Sequence, residues 1–219
     1  MFKVLSESGI DSFGKLFFDV SVIQDEKVIT KRLSLEDYRT MINLGICEDT
    51  SYIEAPKLPE HVHKAFIAGN GVRDTFVVIL NYERDIRPFS FLNQFLMLPF
   101  PSMVFRLEVK KGKMMDKKVF CYTGNLDDYS ELYYYPFGNV NMEGSICMGN
   151  IGVHIEKVEE SEKFMELFIS GRTNNDYCDK RNALGISQEA LIGKIKKKKQ
   201  FPEKLLKPAG KKLRDLYVY

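Results

Sequence analysis

Histidine is scarce in this sequence: three residues in 219, at positions 61, 63 and 154. Ser-His-Asp hydrolysis therefore has few available bases, and no Gly-x-Ser-x-Gly elbow is present to supply the serine. His61 and His63 are near neighbours, but no third ligand accompanies them, so they read as surface or helix-side residues rather than a metal pair. The four cysteines, Cys47, Cys121, Cys147 and Cys178, form no Cys-x-x-Cys pair, which removes the usual zinc pattern. No Gly-rich phosphate-binding motif is present either, so the sequence implies no cofactor and no metal. No apolar run approaches the length of a membrane span, and the N-terminus lacks the charged-then-apolar pattern of a signal peptide. The expectation is a cytoplasmic protein whose cysteines stay reduced. Net charge is only +2, which does not mark the whole molecule as a nucleic-acid binder.

What is present is enough for a core. Hydrophobic residues make up 44% of the chain, and 15 glycines and 8 prolines are ordinary for its length. The length suits one large domain or a core with elaborated ends. The reading divides the chain into an N-terminal elaboration over 1–70, a core over 71–185 and a basic C-terminal extension over 186–219.

Taken in order, residues 15–33 predict two short strands around the turn 24–26. Ser34 then caps a helix running to Gly45, with Asp37 placed to complete a weak capping box. Residues 48–60 read as a connector and 61–68 as a short helix. The run from Asp74 to Tyr82 is β-branched and aromatic, and predicts a strand. Residues 89–97 are a strand or a covering loop. Met103 to Val109 alternates cleanly, turns at Gly112 and returns over 118–123. Leu132 to Tyr135 is the next strand, in a run of tyrosines of which alternation buries one or two. Successive strands joined by short turns predict an antiparallel meander packed against helices, an α+β fold. Residues 155–170 read as a helix stopped by Gly171, and 187–195 as the start of another. The tail is rich in lysine, from Lys194 to Arg214. It suits a solvated segment or a contact with an acidic or nucleic-acid partner. Its leucines, Leu205, Leu206, Leu213 and Leu216, argue for helical packing.

The most specific stretch is 133–150. Strand-forming residues lead in, Pro136 ends the run, and an irregular loop follows with glycines at 138, 144 and 149. It carries an amide side chain, Asn139, and a thiol, Cys147. A cysteine in such a loop serves either as a buried structural residue or as a nucleophile. Cys121, in an apolar strand context, reads as buried and inert. Cys47 and Cys178 lie in polar surroundings and either suits an exposed position.

This stretch resembles the active-site loop of ubiquitin-conjugating enzymes, with its His-Pro-Asn, short polar turn and Gly-x-Ile-Cys-Leu. Phe137, Gly138 and Asn139 stand where His-Pro-Asn would be, and Gly144 to Met148 stand for the segment around the cysteine. The interval from Asn139 to Cys147 is the family's interval. The missing histidine and proline mean that the loop must be stiffened in another way. A wider resemblance, over roughly 75–175, takes in Arg87-Pro88-Phe89 and Leu98 to Phe105. It also includes the cysteine loop and Phe164 to Gly171. In that order the chain is similar to the bacterial family D of conjugating-enzyme-like proteins, the group that includes PRTRC system protein B.

The resemblance implies a ubiquitin-conjugating-enzyme-like (UBC-like) fold and cysteine thioester chemistry. It implies two partners, a ThiF-like activating enzyme and a ubiquitin-like protein, with ATP used by the former. Cys147 would be the thioester-forming nucleophile. Asn139 would either stabilise the tetrahedral oxyanion or brace the loop through its own hydrogen bonds. In the family an acidic residue about thirty positions after the cysteine often helps the incoming amine lose its proton. Asp176 and Asp179 fall in that region, in a segment that also reads as a solvated turn. His154 is an alternative base or a plain surface residue. A non-catalytic scaffold of the same fold, binding a ubiquitin-like protein or nucleic acid, is the alternative function.

Overall fold

In the computed structural model the described residues are 2–10, 16–24, 27–35, 37–38, 52–54, 58–59, 61–68, 75–149, 152–178 and 181–217. The chain forms two compact units, Met1–Thr50 and Ser51–Tyr219.

The first unit is a three-stranded antiparallel sheet of β1 (Phe2–Ile10), β2 (Leu16–Gln24) and β3 (Lys27–Ser34), in that order. Cross-strand pairs hold β2 to β3. Arg32, directly opposite Asp19, donates two hydrogen bonds to its carboxylate at 2.8 and 2.7 Å and lies over the Phe17 ring. The guanidinium holds the Asp19 carboxyl below its ordinary pKa. The two strands read from 15–33 are β2 and β3; β1 joins them without having been expected. Ser34 Oγ accepts the N–H of Asp37 at 3.1 Å, as a helix cap does, and Leu35, Asp37 and Tyr38 are helical. The remainder of that helix, with Gly45 and Cys47, lies outside the described residues.

The second unit is built on a seven-stranded antiparallel sheet, ordered β13-β11-β10-β9-β6-β5-β4 among the described residues. Its strands are β4 (Tyr52–Glu54), β5 (Val62–Ala68), β6 (Phe76–Tyr82), β9 (Met103–Lys110), β10 (Lys113–Cys121), β11 (Glu131–Tyr134) and β13 (Pro208–Lys212). A smaller sheet joins the hairpin β7 (Ile86–Phe91) and β8 (Gln94–Pro99) to the short parallel strand β12 (Arg172–Thr173). The helices α1 (Ser161–Ser170) and α2 (Gln188–Ile195) complete this mixed α+β unit.

Strand β6 lies inside the large sheet, between β9 and β5, with an apolar cluster on each face, which explains its unbroken apolar run. Phe76, Val78 and Leu80 enter one apolar cluster, and Val77 and Ile79 enter another. The first cluster includes Phe164, Met165, Phe168 and Ile169 from α1 and Leu191, Ile192 and Ile195 from α2. The second is closed by Leu213 and Leu216 near the C-terminus.

Three local expectations change and one is refined. Residues 62–68 are strand β5, not helix. A register shift between Val62 and Lys64 leaves Val62, Ala65 and Phe66 buried, a spacing that imitates a helical face. Helix α1 begins only at Ser161, because Ile155 N–H is drawn to Gly112 O at 3.0 Å and His154 pairs with Lys113 in an isolated bridge. The leucines of the tail are buried, and their helical packing takes the form of short 3-10 turns, with Leu205 before the extended β13 and Leu213 and Leu216 after it, rather than one longer helix. Cys178 is buried despite its polar neighbours.

Two of the strands before residue 71, β4 and β5, pair into the large sheet, and β13 beyond residue 186 pairs with β11. No described helix is long and apolar enough to cross a membrane.

Candidate active site

The cysteine loop is rooted in an aromatic cluster. Strand β11 pairs with the end of β10 and then turns inward at Tyr135. Of the three tyrosines, Tyr135 is buried and Tyr133 and Tyr134 are half-buried; burial pushes the Tyr135 phenol well above its ordinary pKa. Phe137 is fully buried, with ring centroids 4.9 Å from Phe89, 5.5 Å from Phe100 and 5.5 Å from Tyr135. Such ring pairs contribute about 0.5–1.5 kcal/mol each beyond the area they bury. An apolar anchor therefore occupies the position of the histidine in the His-Pro-Asn pattern.

The next two residues tie the loop to distant segments. Gly138 N–H donates to Gln188 Oε1 at the start of α2, and Gln188 Nε2 donates to Asn174 O at 3.2 Å. A Cβ at Gly138 would lie 1.9 Å from Asn174 O, so no side chain fits there. Asn139 has a positive φ of 65°, which asparagine tolerates better than most residues. Its side chain uses both ends. Nδ2 donates to Arg172 O at 2.7 Å, and Oδ1 accepts the N–H of Asn174 at 3.2 Å. Its backbone does the same: Asn139 N–H donates to Asp176 O at 2.9 Å, and Asn139 O accepts the N–H of Cys147 at 2.7 Å.

Between Asn139 and Cys147 the chain makes a small hairpin. Val140 bridges Ile146, and Asn141 Oδ1 accepts the N–H groups of Glu143 and Ser145. The returning arm lies along β10: Val119 N–H donates to Gly144 O and Ile146 N–H to Lys117 O, both at 2.9 Å. Gly144 has a φ of 82°, and a Cβ there would meet the Phe120 ring at 2.4 Å. The chain meets β10 again at His154, opposite Lys113. Eight positions from Ile146 to His154 thus span four on β10, and the excess, beginning with Cys147, leaves the ladder. Cys147 is a free, exposed thiol. Cys121 is wholly buried, and desolvation raises its pKa well above the ordinary value.

The structure brings Asn139, Cys147 and Asp176 together through backbone bonds. The Asp176 carboxylate accepts from Asn174 Nδ2 at 2.7 Å, in an exposed turn. Asp179 lies outside the described residues. His154 is placed against the β9–β10 hairpin: its ring covers Gly112, and Nε2 is 3.3 Å from Glu156 Oε1. Neighbouring Asn175 Nδ2 donates to Glu189 Oε1 at 2.9 Å, which holds that carboxyl below its ordinary pKa. The described residues contain no group of three or more metal-ligating side chains. Sequence reasoning missed Gln188 and Asn174. The only signal is that Gln188 is buried in the first turn of a helix, and burial is not visible in the sequence.

Residues 79–209, more than half of the chain, match the family described as prokaryotic E2 family D. The chain belongs to this family. The match spans the cysteine loop, the 172–176 segment and Gln188. Membership makes the protein E2-like and points to ubiquitin-like conjugation. Comparison with curated proteins and with solved structures gives no match.

Proposed function

We propose that this E2-like protein accepts a ubiquitin-like protein as a thioester on Cys147 from a ThiF-like activating enzyme and passes it to an amine. The observation that carries the reading is an exposed thiol on a loop whose backbone is fixed at Asn139, eight residues earlier. In the first step the Cys147 thiolate attacks the acyl carbon of the incoming thioester. A new C–S bond forms and the activating enzyme's thiolate leaves. In the second, the acceptor amine attacks that carbon, loses a proton and expels the Cys147 thiolate.

Both steps pass through an oxyanion. Asn139 Nδ2 carries two hydrogens, of which Arg172 O takes one. The second is available to an oxyanion, a type of contact whose removal costs about 3–4 kcal/mol in enzymes that depend on it. Asn139 thereby braces the loop and offers a donor with the same group. Asp176, linked to Asn139 through its carbonyl, is the candidate acceptor for the amine's proton; Asp179 and His154 are the other candidates.

A second reading, a non-catalytic scaffold that binds a ubiquitin-like protein, draws on Phe137. The residue at the histidine position is spent on core packing. A charging assay separates the two. The protein, the activating enzyme, the ubiquitin-like protein and ATP are combined and run on a non-reducing gel. A thiol-labile adduct that is lost in Cys147→Ala, and becomes thiol-resistant in Cys147→Ser, supports the carrier. No adduct on a folded protein, with an activating enzyme shown to be active, rejects it.

A further inference from the structure

The positive charge of this chain gathers at one end of α2. Lys194, Lys196, Lys197, Lys198, Lys199 and Lys204 fall within eleven residues, and all six are exposed. None of the six forms an ion pair with a carboxylate among the described residues. The one acid in that stretch, Glu203, is turned to Arg84 at 3.3 Å. The negative end of the helix dipole accounts for a lysine in the last turn, such as Lys194. It does not account for Lys198 and Lys204, which lie beyond the helix.

Three of these lysines line a cleft of about 700 Å³. Lys194, Lys198 and Lys204 line it together with Leu184, Phe201 and Leu205. Phe201 and Leu205 are buried and Leu184 is half exposed, so the cleft combines an apolar floor with a cationic rim.

We propose that this cleft docks an acidic peptide segment of a protein partner, one that carries apolar side chains among its carboxylates. The charge is complementary and uncompensated, and the floor has space for an aliphatic or aromatic side chain. Nucleic acid fits less well. The rim is lysine without arginine, and the one ring in the cleft, Phe201, is buried and offers no face on which a base can stack. A phosphodiester chain also has nothing to place on the apolar floor. The site stands apart from the chemistry at Cys147. It is joined to the root of the loop by the Phe201 ring, 6.2 Å from that of Phe137, and by α2, whose other end carries Gln188, about 10 Å away along the helix axis at 1.5 Å per residue.

Fluorescence anisotropy on the full chain tests this. The probe is a fluorescein-labelled 12-residue peptide of Asp and Glu with a central Leu-Phe pair. Controls are the same peptide with Ser-Ser at the centre and a labelled 12-nucleotide single-stranded DNA. The Leu-Phe peptide is expected to bind at least about tenfold more tightly than either control. The triple variant Lys194→Glu, Lys198→Glu, Lys204→Glu is expected to weaken it by about thirtyfold or more, with an unchanged far-ultraviolet spectrum. Leu184→Ser is expected to narrow the gap between the two peptides without altering Ser-Ser binding. Equal binding of both peptides overturns the apolar anchor. DNA binding as tight as the Leu-Phe peptide makes the surface a nucleic-acid site instead. Binding of none of the probes leaves the lysines as a solvated face and ends the proposal.

Discussion

The carbonyl oxygen of Asn139 accepts the N–H of Cys147 at 2.7 Å, while the Asn139 side chain holds the backbone of Arg172 and Asn174. One residue therefore fixes both the thiol-bearing strand of the loop and the segment opposite it. Asn139→Ala removes two side-chain bonds and places alanine at φ 65°. A loss of about 2–4 kcal/mol is expected in urea unfolding. Asn139→Gly relieves the backbone and still lacks the amide, so it is expected to recover about 1 kcal/mol of that loss. If both variants unfold like the parent, the bracing role is wrong.

Phe137 replaces a polar loop residue with a core anchor. Phe137→Ala is expected to cost about 3–5 kcal/mol, in keeping with other buried aromatic truncations. Phe137→His, which restores the residue type of the conjugating-enzyme pattern, is also expected to destabilise the fold. It places a polar ring among Phe89, Phe100 and Tyr135. Chemical denaturation of the two variants checks this; an unchanged midpoint for Phe137→His would show that the cluster tolerates a polar group.

Gln188 should matter to the loop more than to the helix that contains it. Gln188→Ala leaves Gly138 N–H and Asn174 O without their buried partner, a cost of about 1–3 kcal/mol. Hydrogen exchange is expected to quicken at Gly138 and Asn139, with α2 amides such as Leu191 little changed. Uniform acceleration across α2 would mean that the helix, not the loop, depends on Gln188.

Thiol access differs sharply among the described cysteines. In a Cys47→Ser background, Cys147 is expected to alkylate first under native conditions. Cys121 and Cys178 should react only as the protein unfolds, since one is wholly and the other nearly wholly buried. Peptide mass mapping after brief iodoacetamide treatment reads the order directly.

Acid should loosen the C-terminal closure. Tyr217 donates to Asp128 at 2.7 Å, and Lys64 pairs with the same carboxylate, so the Asp128 pKa lies below its ordinary 3.8. A lowered folded-state pKa means that the stabilisation is present above the unfolded value. It is lost as pH falls through the folded one. Tyr217→Phe is expected to lower stability at neutral pH and to flatten the fall below pH 3.8. Melting temperatures of both proteins from pH 7 to 2.5 test the difference.

Much of this architecture was legible because the strongest patterns are local. β6 announced itself by its β-branched run, β9 by alternation, and β10 as the hairpin partner after Gly112, although it begins at Lys113 rather than at Lys118. The cysteine loop was legible as a motif, down to the interval between Asn139 and Cys147. What holds that loop was not. Gln188 and Asn174 act across gaps of 50 and 36 residues from Gly138, and no periodicity records such a meeting. Strand β5 was misread because a bulge changed its burial repeat. The C-terminal leucines signalled burial correctly, but burial alone does not separate a long helix from the short 3-10 turns that carry Leu205, Leu213 and Leu216 on either side of β13.

The dependence of Gly138 on Gln188 also sets an order of events during synthesis. Gln188 follows Cys147 by 41 residues, which at about 5–20 residues per second takes the ribosome roughly 2–8 s. β13, the neighbour of the strand that leads into the loop, is made later still. For that interval the nascent chain carries its exposed thiol on a loop with no fastening at Gly138. A chain cut after residue 185 would remain in that unfinished state, with every atom of the cysteine motif present and the residue that organises it missing.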